Sequence, residues 1–128
     1  MECPVSQAWQ QYRSAPAPGT RVVEVDALPT QGHLGLMLEG ERGRFPLLVV
    51  RLGDGAVRAY VNACPHQFLP LDQRGKRILS EDGEQLRCTN HDAAFSARTG
   101  EGTGGLGLGC ALDRVPLREE GGWLVIGD

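Results

Sequence analysis

Apolar and polar positions alternate with a period of two along much of this chain, the pattern of strands with one face buried. Residues Arg21 to Asp26 interleave valines with charged side chains, which predicts a half-buried strand. Phe45 to Leu52 carries the unbroken apolar run Leu47-Leu48-Val49-Val50, which predicts a strand covered on both faces. Gly53-Asp54-Gly55 then marks a turn, and Ala56 to Ala63 alternates again through Val57, Ala59 and Val61, so the two segments read as a hairpin. Gln85-Leu86-Arg87 reads as a short strand after the turn Glu81-Asp82-Gly83-Glu84. Near the end, Arg114 to Arg118 and Trp123 to Ile126 flank Glu119-Glu120-Gly121-Gly122, a second hairpin. Helical signals are confined to residues 6–13, where Ser6 can cap a short helix that Ala15-Pro16-Ala17-Pro18-Gly19 would end. These elements predict a mainly β fold, a small sandwich or open barrel over residues 20–128, preceded by an N-terminal segment, 1–19.

Composition narrows the function classes. The chain's 128 residues suit one domain. Its 18 glycines and 8 prolines favour turns and short elements over long helices. A net charge of −3 argues against nucleic acid as a partner, since phosphate binding needs clustered Lys and Arg. No apolar stretch approaches a membrane span, and Met1-Glu2-Cys3-Pro4 lacks the basic and apolar regions of a secretory signal, so a cytoplasmic location is expected. In a reducing compartment the four cysteines, Cys3, Cys64, Cys88 and Cys110, are not expected to pair as disulfides.

Two of those cysteines stand beside histidines. Cys64-Pro65-His66 and Cys88-Thr89-Asn90-His91 each offer one thiol and one imidazole, and a 21-residue stretch, Gln67 to Arg87, separates them. Both pairs directly follow predicted strands, so a rigid scaffold projects them on loops. Two mixed pairs can supply a binuclear site whose two metals differ, one held by thiolates and the other by imidazoles. The same four side chains also make a legitimate tetrahedral zinc set, although zinc fingers pair Cys with Cys and His with His at short spacing.

C-x-H followed at a distance by C-x-x-H resembles the Rieske [2Fe–2S] family. Cys64-Pro65-His66-Gln67 and Leu71 are similar to its first cluster loop. Cys88 to Gly100, with His91, Phe95, Thr99 and Gly100, resembles its second loop and exit strand. The resemblance implies an antiparallel β sandwich with a small two-loop cluster-binding subdomain. It implies one [2Fe–2S] cluster per chain, with Cys64 and Cys88 on one iron and His66 and His91 on the other. It further implies one-electron transfer, as a ferredoxin between a reductase and an oxygenase. A small Rieske subunit of a larger oxidoreductase, like that of nitrite reductase, and a redox sensor share the same cluster and stay open. Nothing in the chain suggests a catalytic site of its own.

The sequence departs from the family pattern at several points. Asp92 and Phe68 stand where the family usually has glycine, and no proline occurs at Gly105-Leu106-Gly107, where a proline-bearing loop would fall. Positions where high-potential members carry a Ser and a Tyr look like Ala93 and Phe95, which cannot donate hydrogen bonds to sulfur. Gln67, Thr89 and Asn90 offer no cysteine for a loop-bridging disulfide, and Asp92 adds negative charge. These features predict a potential toward the lower end of the roughly −150 to +300 mV Rieske range. Gly102 to Gly109, with five glycines in eight residues, predicts a bent or flexible loop. His33 is expected on the surface, Trp9 and Trp123 in packing roles, and Glu81, Asp82 and Glu84 in a solvated acidic turn.

Overall fold

A computed structural model describes residues 15–28, 32–40, 43–52, 54–62, 78–80, 83–88, 93–105 and 111–127. Among them run nine strands: β1 (Arg21–Glu24), β2 (Gly32–Gly40), β3 (Gly43–Arg51), β4 (Val57–Val61), β5 (Gln85–Cys88), β6 (Ala93–Ser96), β7 (Gly102–Gly105), β8 (Leu117–Glu120) and β9 (Trp123–Ile126). They form three antiparallel three-stranded sheets, ordered β1-β9-β8, β2-β3-β4 and β5-β6-β7.

Strand β3 organises the interior because its alternate residues feed two cores. Phe45, Leu47 and Val49 pack with Leu28, Ala59, Val61, Val115, Leu124 and Ile126. Leu48 and Val50, followed by Leu52, pack on the other side with Tyr60, Ile78, Leu86, Ala93, Phe95, Ala97 and Leu112. The first core joins the middle sheet to β9, and the second joins it to β5 and β6. All four residues of Leu47-Leu48-Val49-Val50 are 0 % exposed, which accounts for the unbroken apolar run. Each such side chain contributes about 1.5–3 kcal/mol by leaving water. The fold is therefore the expected antiparallel β arrangement.

Several elements differ from their sequence patterns. The first strand stops at Glu24, and a 3₁₀ turn over Val25–Ala27 redirects the chain so that Leu28 reaches the core at 7 % exposure. Arg114 belongs to an isolated bridge with Tyr60, and β8 starts at Leu117 and continues through Glu119 and Glu120. The hairpin then turns on Gly121-Gly122 alone, with φ of 58° and 84°, a two-residue loop that needs both left-handed positions. Gly102 to Gly105, expected in a loop, is strand β7 paired with β6, with a register slip between Ala94 and Phe95. Strand β2 was not anticipated: Leu34, Leu36 and Leu38 point toward the first core, but the glycines at 32, 35 and 40 mask the alternation. The helix expected over residues 6–13 lies outside the described residues.

Candidate metal centre

Strand β4 leads in sequence toward one half-site. Its register with β3 runs from Arg51↔Val57 to Leu47↔Val61, and Asn62, 7 % exposed, donates its backbone N–H to the Pro46 carbonyl at 3.1 Å. Cys64 follows two residues later in sequence. The other half-site sits on the β5–β6 hairpin. Its register is Gln85↔Ser96, Leu86↔Phe95, Arg87↔Ala94 and Cys88↔Ala93, so Cys88 ends β5. Residues 89–92, with His91, connect the two strands in sequence. The intervening stretch returns beside β5, where Leu79 bridges Leu86 and the Arg87 N–H donates to the Ile78 carbonyl at 2.7 Å.

Only the backbone of Cys88 is among the described positions. Its side chain lies outside them, as do Cys64, His66 and His91, with Cys3, Cys110, Trp9, Phe68, Leu71, Glu81, Asp82, Asp92 and residues 106–110. Among the described residues no group of three or more His, Cys, Asp or Glu is poised to hold a metal. What the structure fixes are the strand ends to which both Cys/His pairs attach. Ala93 and Phe95 are buried in the core, 2 % and 0 % exposed, and carry no hydroxyl.

One turn, residues 96–100, fastens the hairpin unit to β4. The Tyr60 hydroxyl donates to the Ala97 carbonyl at 2.8 Å, and Arg58 Nε donates to the Arg98 carbonyl at 3.2 Å. Gly100, at φ +84°, lies so close to Tyr60 that an added Cβ would stand 2.8 Å from Tyr60 Cε1. Burial pushes the Tyr60 hydroxyl up to about 12, against the pull of Arg114 and Arg58. On the outside, the Arg98 guanidinium donates to Asp54 Oδ2 at 3.0 Å and to Glu84 Oε1 at 3.0 Å. The Asp54 carboxyl is held below its ordinary range first by the Ala56 N–H and then by Arg98, while Glu84 and then Asp54 raise Arg98. Sequence reading missed Tyr60, Arg58 and Arg98. Their only signal was position, two alternate residues on the strand before the first half-site and a cation just after the second. Glu84 is thus tethered to Arg98 rather than simply solvated. His33 is half-buried on β2 opposite Val50, a correction to the expected surface position. Trp123, also half-buried, takes the Arg21 guanidinium 5.2 Å from its ring centroid.

In sequence, two thiols and two imidazoles fall in mixed pairs, a donor set that suits a cluster with unlike irons better than zinc. The family model that matches the chain is the Rieske [2Fe-2S] domain, over residues 20–107. The chain belongs to the Rieske family. Its cofactor is accordingly a Rieske-type [2Fe–2S] cluster. A curated relative, the oxygenase component of chloroacetanilide N-alkylformylase from Rhizorhabdus wittichii, is 43 % identical over 49 residues. That match covers 38 % of this chain and only 13 % of the relative. Among solved structures, the ferredoxin of carbazole 1,9a-dioxygenase from Nocardioides aromaticivorans superposes with a TM-score of 0.68 at 22 % identity, covering 87 % of this chain and 98 % of that one. A complex of reduced oxygenase and oxidized ferredoxin in carbazole 1,9a-dioxygenase gives a TM-score of 0.65 at 20 % identity, covering 84 % of this chain and 99 % of that one. These likenesses show that the Rieske fold is shared. Among the described residues no helix is long and apolar enough to cross a membrane.

Proposed function

We propose that this Rieske protein is a one-electron carrier of the ferredoxin type, receiving electrons from a reductase and passing them to an oxygenase. The observation that supports the reading is that the strands leading to the two Cys/His pairs in sequence share one buried core: β5 ends at Cys88, β4 ends three residues before Cys64, and Tyr60 and Leu86 pack together in that core. Cys64 and Cys88 would hold one iron and His66 and His91 the other. Bound there, the cluster supplies a one-electron couple. The two thiolates bring two negative charges where an all-cysteine site brings four, so these histidines favour electron uptake. Strands β4, β5 and β6 keep the loops on a scaffold that need not rearrange when charge changes. The electron-transfer domain spans residues 20–128, with 1–19 outside it, and a cytoplasmic location belongs to the same reading. The likeness to a ferredoxin over 98 % of that chain's length supports the carrier role. The local identity to an oxygenase component favours a second reading, a Rieske domain serving such an enzyme.

The test is EPR of dithionite-reduced protein with iron, sulfide and zinc assayed on the same sample. A rhombic Rieske signal with two irons and two sulfides per chain is expected, and Cys64→Ser or Cys88→Ser should abolish it. One zinc and no signal would refute the carrier role. A full visible spectrum in either serine variant would refute the ligand assignment. Oxygenase turnover sustained by the purified chain and a reductase separates the carrier from the second reading.

A further inference from the structure

We infer that Tyr60 and Arg58 are positioning residues for the cluster, setting the spacing between its two ligand loops through the turn at residues 96–100. The inference rests on the ligand reading above, in which Cys64/His66 and Cys88/His91 hold one cluster between them. The strands that lead to those half-sites, β4 and β5, lie in different sheets, so among the described residues no ladder of strand hydrogen bonds links them. Among the described residues, β4 contacts the β5-β6-β7 unit through side chains rather than through strand pairing.

Arg58 and Tyr60 are two residues apart on β4 and therefore share one face, the face of Leu48 and Val50 across the register. Their donors meet successive carbonyls of the turn, Arg98 O at 3.2 Å and Ala97 O at 2.8 Å. Two bonds to neighbouring carbonyls fix a translation along β4 as well as a distance from it. The turn itself is stiff. Ser96 Oγ accepts from the backbone N–H groups of Arg98 and Thr99, both at 3.2 Å, and the Gly100 N–H donates to the Ser96 carbonyl at 2.8 Å. It is also fixed to the hairpin that carries Cys88, since the Ala97 N–H donates to the Glu84 carbonyl at 2.8 Å, one residue before β5. A side chain at 100 would hold the turn off the Tyr60 ring, so glycine there lets the phenol close the joint. A continuous path of short contacts thus runs from β4, which leads to Cys64, to β5, which ends at Cys88.

Removing the phenol oxygen should let the hairpin unit lift from β4 without unfolding the molecule. In cluster-loaded protein, Tyr60→Phe is expected to bleach in excess chelator about tenfold faster than the parent, the order set by one lost buried hydrogen bond. Arg58→Met, which loses the weaker contact, should accelerate bleaching about threefold. Ile126→Val, in the opposite core, is the control: it should lower the unfolding midpoint and leave the bleaching rate unchanged. A folded Tyr60→Phe protein that takes up no cluster is the same result at its extreme. Parental bleaching in both β4 variants, or rates that simply follow the midpoints of all three, would overturn the inference and leave the ligand reading intact. A parent protein without a [2Fe–2S] cluster would overturn both.

Discussion

A phenol that donates to a buried carbonyl must keep its proton for the contact to hold, and Tyr60 keeps it well past neutrality. Its hydroxyl is raised from 10.0 to about 12 by burial, so the folded state binds the proton more tightly than the unfolded chain. The contribution is complete below pH 10.0 and is lost as pH climbs toward about 12, the window in which only the unfolded state ionises readily. The midpoint of thermal unfolding should therefore fall over that window, and Tyr60→Phe should fall less steeply. Equal slopes in a pH series would show that Tyr60 is not the group responsible. The same scale governs the potential. Ala93 and Phe95 are buried and carry no hydroxyl, so if they stand beside the cluster as the family resemblance implies, two donors to sulfur would be missing there. A redox titration should place the potential below about +150 mV, in the lower part of the Rieske range. The candidate ligands Cys64, His66, Cys88 and His91 stand out in the sequence because Cys and His at short spacing are rare and chemically specific. Tyr60 does not, since a strand aromatic is ordinarily packing and its role depends on a carbonyl 37 residues away in sequence.

Among elements, the strands that announce themselves are those whose side chains do the packing. Strand β3 carries an unbroken apolar run, β4 and β9 are largely apolar, and an Asp-Gly or Gly-Gly turn marks each hairpin; the structure pairs both, with β8 displaced to Leu117–Glu120. Strands β2 and β7 are held largely by their backbone ladders, with glycine at several positions, so side-chain periodicity understates them. The Arg98 clamp is an element-scale device of this hidden kind. It ties the β3–β4 turn, through Asp54, to the approach of β5, through Glu84. All three side chains are solvent-exposed, 37 % for Arg98, 56 % for Asp54 and 47 % for Glu84, so salt should screen the clamp. Arg98→Gln should lower the unfolding midpoint in dilute buffer, with the difference shrinking near 1 M salt, where the Debye length is about 3 Å. Acid acts with the opposite sign from the Tyr60 case. A carboxyl held below its ordinary value of 3.8 stabilises the fold above that pH and stops doing so as pH falls through its lower folded value. The parent and Arg98→Gln midpoints should converge below pH 3.8, and a difference that survives there would assign the effect to something other than Asp54.

For the whole molecule the consequence of β3 is that two cores share one backbone. Leu47 and Val49 lie in one core, Leu48 and Val50 in the other, so neither core can lose its central strand without the other. A cavity in either should weaken a single cooperative transition rather than split it. Leu86→Ala, on the side of the metal loops, and Leu124→Ala, on the far side, should each cost about 2–5 kcal/mol. At roughly 3–6 °C per kcal/mol, both should lower the melting midpoint by about 6 °C or more while leaving one sigmoid in circular dichroism. The visible absorbance of the cluster should separate them. Leu86 packs with Phe95, its partner across the Cys88 hairpin, so its truncation loosens the ligand-bearing unit directly. In Leu86→Ala the absorbance should decay at lower temperature than the backbone signal, whereas in Leu124→Ala the two should coincide. Two steps in the circular dichroism of either variant would mean that the cores unfold independently. Coincident signals in both would mean that the metal loops have no stability of their own to lose.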